Sequence, residues 1–326
     1  MKLIIMIPAL NEEATIGDVL ERIPEGLPGI TVIEKLVIDD GSTDRTAEIA
    51  RQKGAAVISH SENRGVGAAF NTGIHAAISN GADVIVNMDG DGQFDPATIA
   101  ELIGPIVRNE ADFVTCTRFG KPEYVPRMPA IKKWGNKWMA KIINTVTRKS
   151  FTDVSCGFRA YTRDTILRLN LFGNFTYTQE TFLDLARKNV RMTEVPLPVR
   201  GEREFGKSRV ASSISRYAWR SGSIILFSLR DTRPLMFFGI IGVFITALGT
   251  AFGGSLFVRW LIIHKTSPYQ SLVTLSAVLL ILGGLLIVLA LVADMMGRLR
   301  QNQEHLLYLQ KKQYYDRKSD DDPAAS

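Results

Sequence analysis

Cysteine and histidine are both scarce in this chain of 326 residues, which has two cysteines and four histidines. Cys116 and Cys156 lack the short spacing of metal-binding cysteines, which excludes a cysteine zinc site. We expect both to be small buried side chains, reduced in the cytosol. None of the histidines lies beside an acidic motif. The chemistry of the chain is therefore not expected to depend on a histidine base.

Glycine motifs of nucleotide-binding proteins are missing or incomplete. There is no Walker phosphate loop, which argues against an ATPase. The segment NRGVGAAF at 63–70 has two of the three glycines of the dinucleotide motif and opens a later helix, so a dinucleotide fold is disfavoured. The net charge of +6 comes without a nucleic-acid-binding motif. It suits an anionic membrane face or a phosphorylated substrate better than a nucleic acid.

Charged residues are absent from two long stretches, Leu235 to Val258 and Ser271 to Ala293. Each can cross a bilayer, which takes about 20 apolar residues in a helix. The alternative is a buried helix pair in a soluble core, but core helices are usually shorter. The linker from His264 to Gln270 is short, so the sequence predicts a hairpin with both ends on one side of the membrane.

Most basic residues near this hairpin lie before its first helix and after its second helix, away from the connecting loop. This distribution predicts that both termini are cytoplasmic. Arg259 and Lys265 lie on the far side but are outnumbered. The first apolar run, KLIIMIP, is too short for a signal peptide, so the preceding domain should also be cytoplasmic. The flanking residues are Arg230, Arg233, Arg298, Arg300, Lys311, Lys312, Arg317 and Lys318.

These patterns divide the chain into four segments. Residues 1–209 form a cytosolic domain, 234–296 hold the two spans, and 297–326 are a charged tail, which we expect to be disordered from Gln301. Residues 210–233 mix apolar and basic side chains and are expected to lie in the headgroup region, or else to pack on the soluble domain. Gly249 and Gly253 have a spacing that allows either self-association into a homo-oligomer or packing within the hairpin.

The first domain alternates strand and helix patterns, which predicts an α/β fold with a mostly parallel sheet. Ligands bind beyond the carboxyl ends of the strands in such folds. Three polar segments follow predicted strands and should converge on one crevice. They are PALNE at 8–12, DDGSTD at 39–44 and DGDGQFD at 89–95.

The two carboxylates of the last segment allow three interpretations. A calcium loop would need Glu at its twelfth position, where Thr98 stands. A structural turn explains Asp95 as a helix cap, but it leaves the crowding of Asp89 and Asp91 unexplained. We favour a Mg²⁺ or Mn²⁺ site for a diphosphate, because Asp89 and Asp91 lie on one side of an extended segment and Gln93 continues that row.

Five motifs in this order, followed by a membrane hairpin, resemble the polyprenyl-phosphate glycosyltransferases. The resemblance covers nearly the whole chain except its tail. It implies a GT-A (Rossmann-like) domain with interface helices and a two-helix transmembrane hairpin, which would transfer a hexose from a nucleotide-diphosphate sugar to dolichyl or undecaprenyl phosphate with inversion. The motifs are IPALNEE, VIDDGSTD, NRGVGAAFNTG, NMDGDGQFDP and DVSCGFRAY.

The resemblance also implies roles for individual residues. The nucleoside would contact Pro8, Asn11, Glu12 and Asp39. The metal and diphosphate would be held by Asp89, Asp91 and Gln93. Asp153 would line the sugar or acceptor pocket, with a structural cap as its alternative role. The acceptor phosphate would be bound by Arg118, Arg127, Lys132, Lys133, Arg200, Lys207, Ser208 and Arg209.

Two rival functions use the same kind of domain. A processive polysaccharide synthase would need more spans and a Gln-x-x-Arg-Trp motif, neither of which is found in the sequence. A catalytically silent, membrane-anchored module that binds nucleotide sugars is opposed by the intact acidic cluster. The donor base, UDP or GDP, stays open because uracil and guanine offer similar donors to Asp39.

Overall fold

The computed structural model describes residues 1–126, 128, 130–147, 149–170, 177–200 and 234–321. The chain divides into two compact units. The first comprises Met1–Ser221 together with Leu307–Ser326, and the second comprises Gly222–Leu306. The predicted interface segment at 210–233 and the predicted phosphate residues Lys207, Ser208 and Arg209 lie outside the described residues.

A seven-stranded sheet forms the centre of the first unit, in the order β3-β2-β1-β4-β6-β5-β7. All neighbouring pairs are parallel except the two that involve β6, which runs antiparallel to both β4 and β5. The strands are β1 (Lys2–Ala9), β2 (Val32–Asp39), β3 (Ala56–Ser59), β4 (Val84–Asn87), β5 (Phe113–Thr117), β6 (Arg159–Thr162) and β7 (Met192–Pro196).

Helices alternate with the strands, which confirms the α/β prediction. The helices of the first unit are α1 (Ile16–Glu21), α2 (Thr46–Gln52), α3 (Val66–Ser79), α4 (Ile99–Val107), α5 (Ala130–Thr147), α6 (Arg163–Arg168) and α7 (Tyr177–Arg187). Strand β1 lies in the interior of the sheet between β2 and β4, with Leu3, Ile5 and Ile7 fully inaccessible. Helix α3 lies so close to the sheet that a Cβ on Gly73 would overlap the side chain of Met6.

The reversed strand β6 determines what meets at the carboxyl edge of the sheet. Strands β1, β2, β4, β5 and β7 all end there, whereas β6 begins there. The segment that leads into β6, from Asp153 to Phe158, therefore lies at the same edge as the acidic loop after β4. Since β6 separates β4 from β5, the ends of β4 and β5 are about 10 Å apart.

Two long helices make up the described part of the second unit, α8 (Pro234–Ile263) and the first part of α9 (Gln270–Asp321). Both are long and apolar enough to cross a membrane, and only 11% and 17% of their most apolar windows are buried. This exposure argues against the buried helix pair of a soluble core. A Cβ added to Gly249 would lie 3.0 Å from the Leu279 Cβ, so Gly249 faces the partner helix of the hairpin.

The tail differs from the sequence expectation. Helix α9 continues to Asp321, so the disorder expected from Gln301 is wrong for residues 301–321. From Leu307 onward the helix belongs to the first unit, and we call Leu307–Asp321 the C-terminal segment. Its Tyr315 hydroxyl lies 2.9 Å from the His75 Nδ1, and Arg163 forms a 2.8 Å ion pair with Asp316. The charged composition suggested disorder, but the charged residues form the solvated face of a docked helix.

Candidate active site

Three loops at the carboxyl edge are joined by hydrogen bonds, as the sequence predicted. The Asn11 side chain accepts from the Thr43 amide at 2.8 Å, and the Glu12 amide donates to the Thr46 hydroxyl at 2.8 Å. The Thr15 hydroxyl donates to the Gly90 carbonyl at 2.7 Å. The loops that follow β1, β2 and β4 therefore form one continuous crevice wall.

Two aspartates of the second loop have structural partners. The buried Asp39 accepts from the Ser42 amide at 2.9 Å, which closes the turn. Asp40 accepts from the Gly65 amide at 2.8 Å and lies 2.7 Å from the Nδ1 of the buried His60. Asp40 therefore anchors the loop before α3.

Asp44 holds the start of α2. It accepts from the Thr46 amide at 3.0 Å and from the Glu13 amide at 3.2 Å. Burial would raise the pKa of Asp44, but these hydrogen bonds outweigh it and hold the pKa below its ordinary value. A carboxylate is therefore stable at this junction of the first two loops.

The acidic loop after β4 is fixed by close packing. A Cβ on Gly90 would lie 3.3 Å from side-chain carbons of both Ile16 and Ile7, so the loop lies tightly against β1 and α1. Asp91 is buried, with its Oδ1 accepting from the Gln93 amide at 3.1 Å, and Asp89 is partly exposed. The two carboxylates are thus presented by a tightly packed turn after β4, which ends at Asn87, so the extended segment expected from the sequence stops short of them.

This donor set fits a hard divalent cation that also binds phosphate. Among the residues that the structure describes, no three or more His, Cys, Asp or Glu side chains form a ready-made metal cluster. Mg²⁺ and Mn²⁺ sites commonly use one or two carboxylates and complete the shell with water and phosphate oxygens. Asp89 and Asp91 supply such a pair of carboxylates.

Gln93 is tied to the end of β7. The Arg200 amide donates to the Gln93 carbonyl at 3.0 Å, and the Gln93 side-chain amide donates to the Arg200 carbonyl at 3.3 Å. Next to it, Asp95 accepts from the Ala97 amide at 3.1 Å, which confirms its capping role, and pairs with Arg22 at 2.8 Å. The structure therefore brings Arg200, exposed at its side chain, beside the acidic loop.

Arg118 and Asp153 form a bidentate ion pair at the same edge. Arg118 donates to the fully buried Asp153 through its Nε at 2.5 Å and its Nη2 at 3.0 Å. The Ser155 amide also donates to Asp153 at 3.1 Å, and the Ser155 hydroxyl oxygen lies 3.0 Å from the same carboxylate. Burial lowers the pKa of Arg118, but the attraction of Asp153 more than offsets this, so the net pKa is raised and the cation is permanent. Asp153 is therefore neither a simple cap nor an isolated acid, because it orients Arg118.

Three residues that support this pair, Asn136, Ser155 and Arg159, were not among the site residues predicted from the sequence. Asn136 accepts from the Ser155 hydroxyl at 2.8 Å. The fully buried Arg159 donates to the Cys156 carbonyl at 2.8 Å and stacks over the Phe182 ring at 4.8 Å. Ser155 and Arg159 lie in a segment that the resemblance singled out, DVSCGFRAY, whereas Asn136 does not. The contacts of Asn136 and Ser155 depend on tertiary folding.

The remaining predicted phosphate residues are not assembled by the described part of the chain. Lys133 is exposed on α5. Arg127 lies outside the described residues, and of Lys132 the structure describes only the helical backbone. Cys116 and Cys156 are buried free thiols, as expected.

The fold of the chain is similar to that of a solved GT-A glycosyltransferase. Glucosyl-3-phosphoglycerate synthase from Mycobacterium tuberculosis, solved with Mn²⁺, UDP and phosphoglyceric acid, matches it with a TM-score of 0.54 at 22% identity, over 70% of this chain and 77% of that one. This likeness is one of fold. The chain belongs to glycosyl transferase family 2, whose sequence model matches residues 4–169.

Curated relatives agree with the resemblance drawn from the motifs. The UDP-N-acetylglucosamine–dolichyl-phosphate N-acetylglucosaminyltransferase of Methanococcus voltae is 31% identical over 59% of this chain and 83% of its own length. The undecaprenyl-phosphate mannosyltransferase of Micrococcus luteus is 28% identical over 66% of this chain and 89% of its own length. The predicted membership among polyprenyl-phosphate glycosyltransferases is confirmed, as is the GT-A fold.

Proposed function

We propose that this protein is a membrane-bound, inverting glycosyltransferase that moves a hexose from a nucleotide-diphosphate sugar to a polyprenyl phosphate. One observation carries the proposal: the acidic strand end with Asp89 and Asp91 shares a sheet edge with the Arg118–Asp153 pair. One site suits a metal-bound diphosphate and the other suits an anionic acceptor. The relatives that act on dolichyl and undecaprenyl phosphate support this acceptor class.

The part of the crevice wall formed by the loops after β1 and β2 is the proposed nucleoside site. Pro8 lies at the end of β1 opposite Ile38 of β2, so the two strand ends are adjacent. Asn11 and Glu12 extend from there, and Asp39 is held by the Ser42 amide in a fixed orientation. A carboxylate at this position would accept the ring N–H of uracil or guanine.

The acidic loop is the proposed diphosphate site. Asp89 and Asp91 would hold Mg²⁺ or Mn²⁺, and the cation would neutralise charge on the departing nucleotide diphosphate. Gln93 is hydrogen-bonded to the Arg200 backbone, which supports a contribution of Arg200 to phosphate binding near this loop. The chain itself thus supplies anchoring carboxylates and a neighbouring positive charge.

The acceptor needs no strong base. A phosphomonoester has a second pKa of about 6, so its oxygen is already a nucleophile at neutral pH. What it needs is a fixed cation that brings it close to a second anionic substrate. Arg118 meets this need, because Asp153 and Ser155 hold its guanidinium in one orientation. The separation of about 10 Å between the two strand ends leaves room for the sugar between the two phosphates.

A single backside displacement at the anomeric carbon would follow and would invert its configuration. The two apolar helices would keep the catalytic unit at the bilayer, where the lipid phosphate lies at headgroup level. We propose that the catalytic unit and both termini are cytoplasmic, as the flanking basic residues indicate.

Asp91→Ala tests this assignment. We expect transfer of radiolabelled sugar to polyprenyl phosphate to fall by at least roughly a hundredfold, the usual cost of losing a charge-stabilising group in an active site. The matched control is Asp83→Ala, an exposed aspartate directly before the opposite end of β4. Membrane insertion should be unchanged in both variants.

The assay should use a panel of UDP- and GDP-sugars, with the product identified by its mass. Binding of Mn²⁺ to the purified protein, measured separately, should be lost in Asp91→Ala and retained in Asp83→Ala. An Asp91→Ala variant with full transfer activity would refute the metal assignment. Absence of lipid-linked product with every donor would refute the enzymatic function itself.

A further inference from the structure

Glu194 lies on β7 and binds the segment that contains Asp153. In the register of β7 against β5, it stands opposite Thr115. Its carboxylate accepts twice from Thr152, from the amide at 2.8 Å on one oxygen and from the hydroxyl at 2.9 Å on the other. The residue directly before Asp153 is therefore bound to the strand at the end of the sheet.

The Thr152 hydroxyl belongs to a chain of hydrogen bonds whose direction the carboxylate determines. It lies 2.5 Å from the Thr117 hydroxyl, whose oxygen accepts from the Phe119 amide at 3.1 Å. Because the Thr152 proton is donated to Glu194, the Thr117 hydroxyl has to donate to Thr152. The chain thus runs in one direction, from the Phe119 amide through both threonines to the carboxylate, and its bonds strengthen one another.

This chain lies beside the ion pair of the proposed acceptor site. Thr117 ends β5 and is followed by Arg118, while Thr152 is followed by Asp153. The same two segments are therefore joined twice, by the pair of threonines and by the bidentate pair of Arg118 with Asp153. A shift of Thr152 would move the Asp153 carboxylate that orients the guanidinium.

A carboxylate at position 194 is unfavourable by itself. Burial raises the pKa of Glu194 above its ordinary value, and this effect exceeds the opposing one of the hydrogen bonds from Thr152. The charge of Asp153 raises the pKa further. An apolar or amide side chain would avoid this cost. Neither of them could accept the two bonds from Thr152 on two separate oxygens.

The stretch of chain that follows β7 reaches the proposed diphosphate site. The Leu197 amide donates to the Thr117 carbonyl at 3.2 Å, and the Arg200 amide donates to the Gln93 carbonyl at 3.0 Å. Glu194 therefore binds the acceptor segment to the same stretch that contacts the acidic loop.

We propose that Glu194 is a positioning residue for the acceptor phosphate. It acts through Thr152 and Asp153 on the orientation of the Arg118 guanidinium. This role rests on the proposed function, because Arg118 is the proposed phosphate ligand, and it adds a residue that no motif of the sequence singled out.

Two affinities of the full-length protein in detergent test this role. The first is for farnesyl phosphate, a short polyprenyl monophosphate, with farnesol as the probe that lacks the phosphate. The second is for UDP with Mn²⁺. We expect Glu194→Gln to weaken farnesyl phosphate binding by roughly tenfold, the effect of losing one hydrogen bond, and to leave the other two affinities unchanged. Glu34→Gln, on β2 and paired with Lys2 at 2.8 Å, is the matched control and should change none of them.

Substitutions of Thr152 test the route of the effect. Thr152→Val removes the hydroxyl but keeps the branched shape, so it should reproduce the loss seen in Glu194→Gln. Thr152→Ser keeps the hydroxyl and should retain the affinity of the unchanged protein. Because both losses break the same chain, the combined variant Glu194→Gln with Thr152→Val should lose less than the product of the two separate factors.

Unchanged farnesyl phosphate affinity in Glu194→Gln would overturn the positioning role. An equal loss of affinity for UDP with Mn²⁺, together with a lower unfolding temperature, would also overturn it, because the effect would then be one of stability. If the unchanged protein bound no farnesyl phosphate, the acceptor assignment and this role would both be refuted. Binding that depends on Glu194, in a protein that transfers no sugar from any donor, would refute the enzymatic function alone.

Discussion

Single side chains determine the geometry of the proposed acceptor site. Asp153 is fully buried and would be costly as an isolated anion, yet Arg118 and Ser155 satisfy both of its oxygens. The guanidinium in turn cannot rotate without breaking the pair. Arg118 is therefore held in place before any substrate binds, which lowers the entropy lost when a phosphate is captured.

Asp153→Asn should separate positioning from folding. The amide keeps the shape but removes the charge, so we expect transfer to fall by roughly a hundredfold. Stability should drop by about 2 kcal/mol, less than the roughly 3–5 kcal/mol of a fully buried pair because the Arg118 side chain is 22% exposed. Activity assays and thermal unfolding of the same preparation measure both effects.

Asp18→Asn is the control at this scale, since it removes an exposed carboxylate 3.6 Å from Arg22. It should change stability by less than about 1 kcal/mol. Retention of full activity by Asp153→Asn would show that the orientation of Arg118 is not needed for transfer.

Residues that act through local geometry could be predicted from the sequence. Asp95 caps a turn two residues away. Asp89 and Asp91 could be selected as candidates because they come directly after the apolar run of β4. Asn136 and Ser155 could not be predicted, because they meet only after α5 folds back on the segment before β6. No local sequence pattern indicates a contact of that kind.

Strands and helices were also predictable, because they depend on local sequence patterns. The apolar runs of β1 and β4 and the helical period of α3 lie within short windows of sequence. The place of β6 was not predictable, since pairing of a four-residue strand with β4 and β5 is decided by tertiary packing. That one reversed strand brings the Asp153 segment to the active edge.

The membrane hairpin depends on glycines that face the partner helix. A Cβ on Gly283 would overlap Thr246 of α8, whereas one on the next residue, Gly284, would meet nothing within 4 Å. The Gly249 motif is thus explained by packing within the hairpin, one of the two alternatives that the sequence left open.

Gly283→Ala and Gly284→Ala form a matched pair. Both gain about 1 kcal/mol of helix propensity, but only the first forces α8 and α9 apart. We expect a lower unfolding temperature in detergent for Gly283→Ala and an unchanged or higher one for Gly284→Ala. Equal unfolding temperatures would contradict the helix contact.

At the scale of the whole molecule, the C-terminal segment joins residues far apart in sequence. His75 and Tyr315 are 240 residues apart, and Lys311 donates to the Asn170 side chain at 3.0 Å. Tyr315 and Lys311 lie four residues apart and face the same side, which is a helical signal. The prediction of disorder rested on the charged composition of the segment and not on this spacing.

Docking of this segment should depend on pH. Burial, and secondly the charge of Lys311, lowers the pKa of His75. Neutral His75 is thus favoured in the docked state, so its stabilising effect is present above the ordinary pKa of about 6.5 and is lost as pH falls through the lowered pKa. Hydrogen exchange of the 307–321 amides should show weaker protection at about pH 5.5 than at about pH 7.5.

Protection factors corrected for the intrinsic pH dependence of exchange provide this comparison. His75→Gln cannot titrate in this range and should remove the difference. If His75→Gln loses as much protection at the lower pH as the unchanged protein does, another titratable group is responsible for the effect.

The C-terminal segment also affects how the chain can be dissected. A fragment that stops before Pro234 would omit Leu307–Asp321, although these residues belong to the catalytic unit. The groove on α3 and α6 that Tyr315 and Leu307 help to line would then lose one of its walls. A soluble enzyme fragment therefore has to be assembled from two distant stretches of sequence, either by a fused linker or by adding the last helix as a peptide.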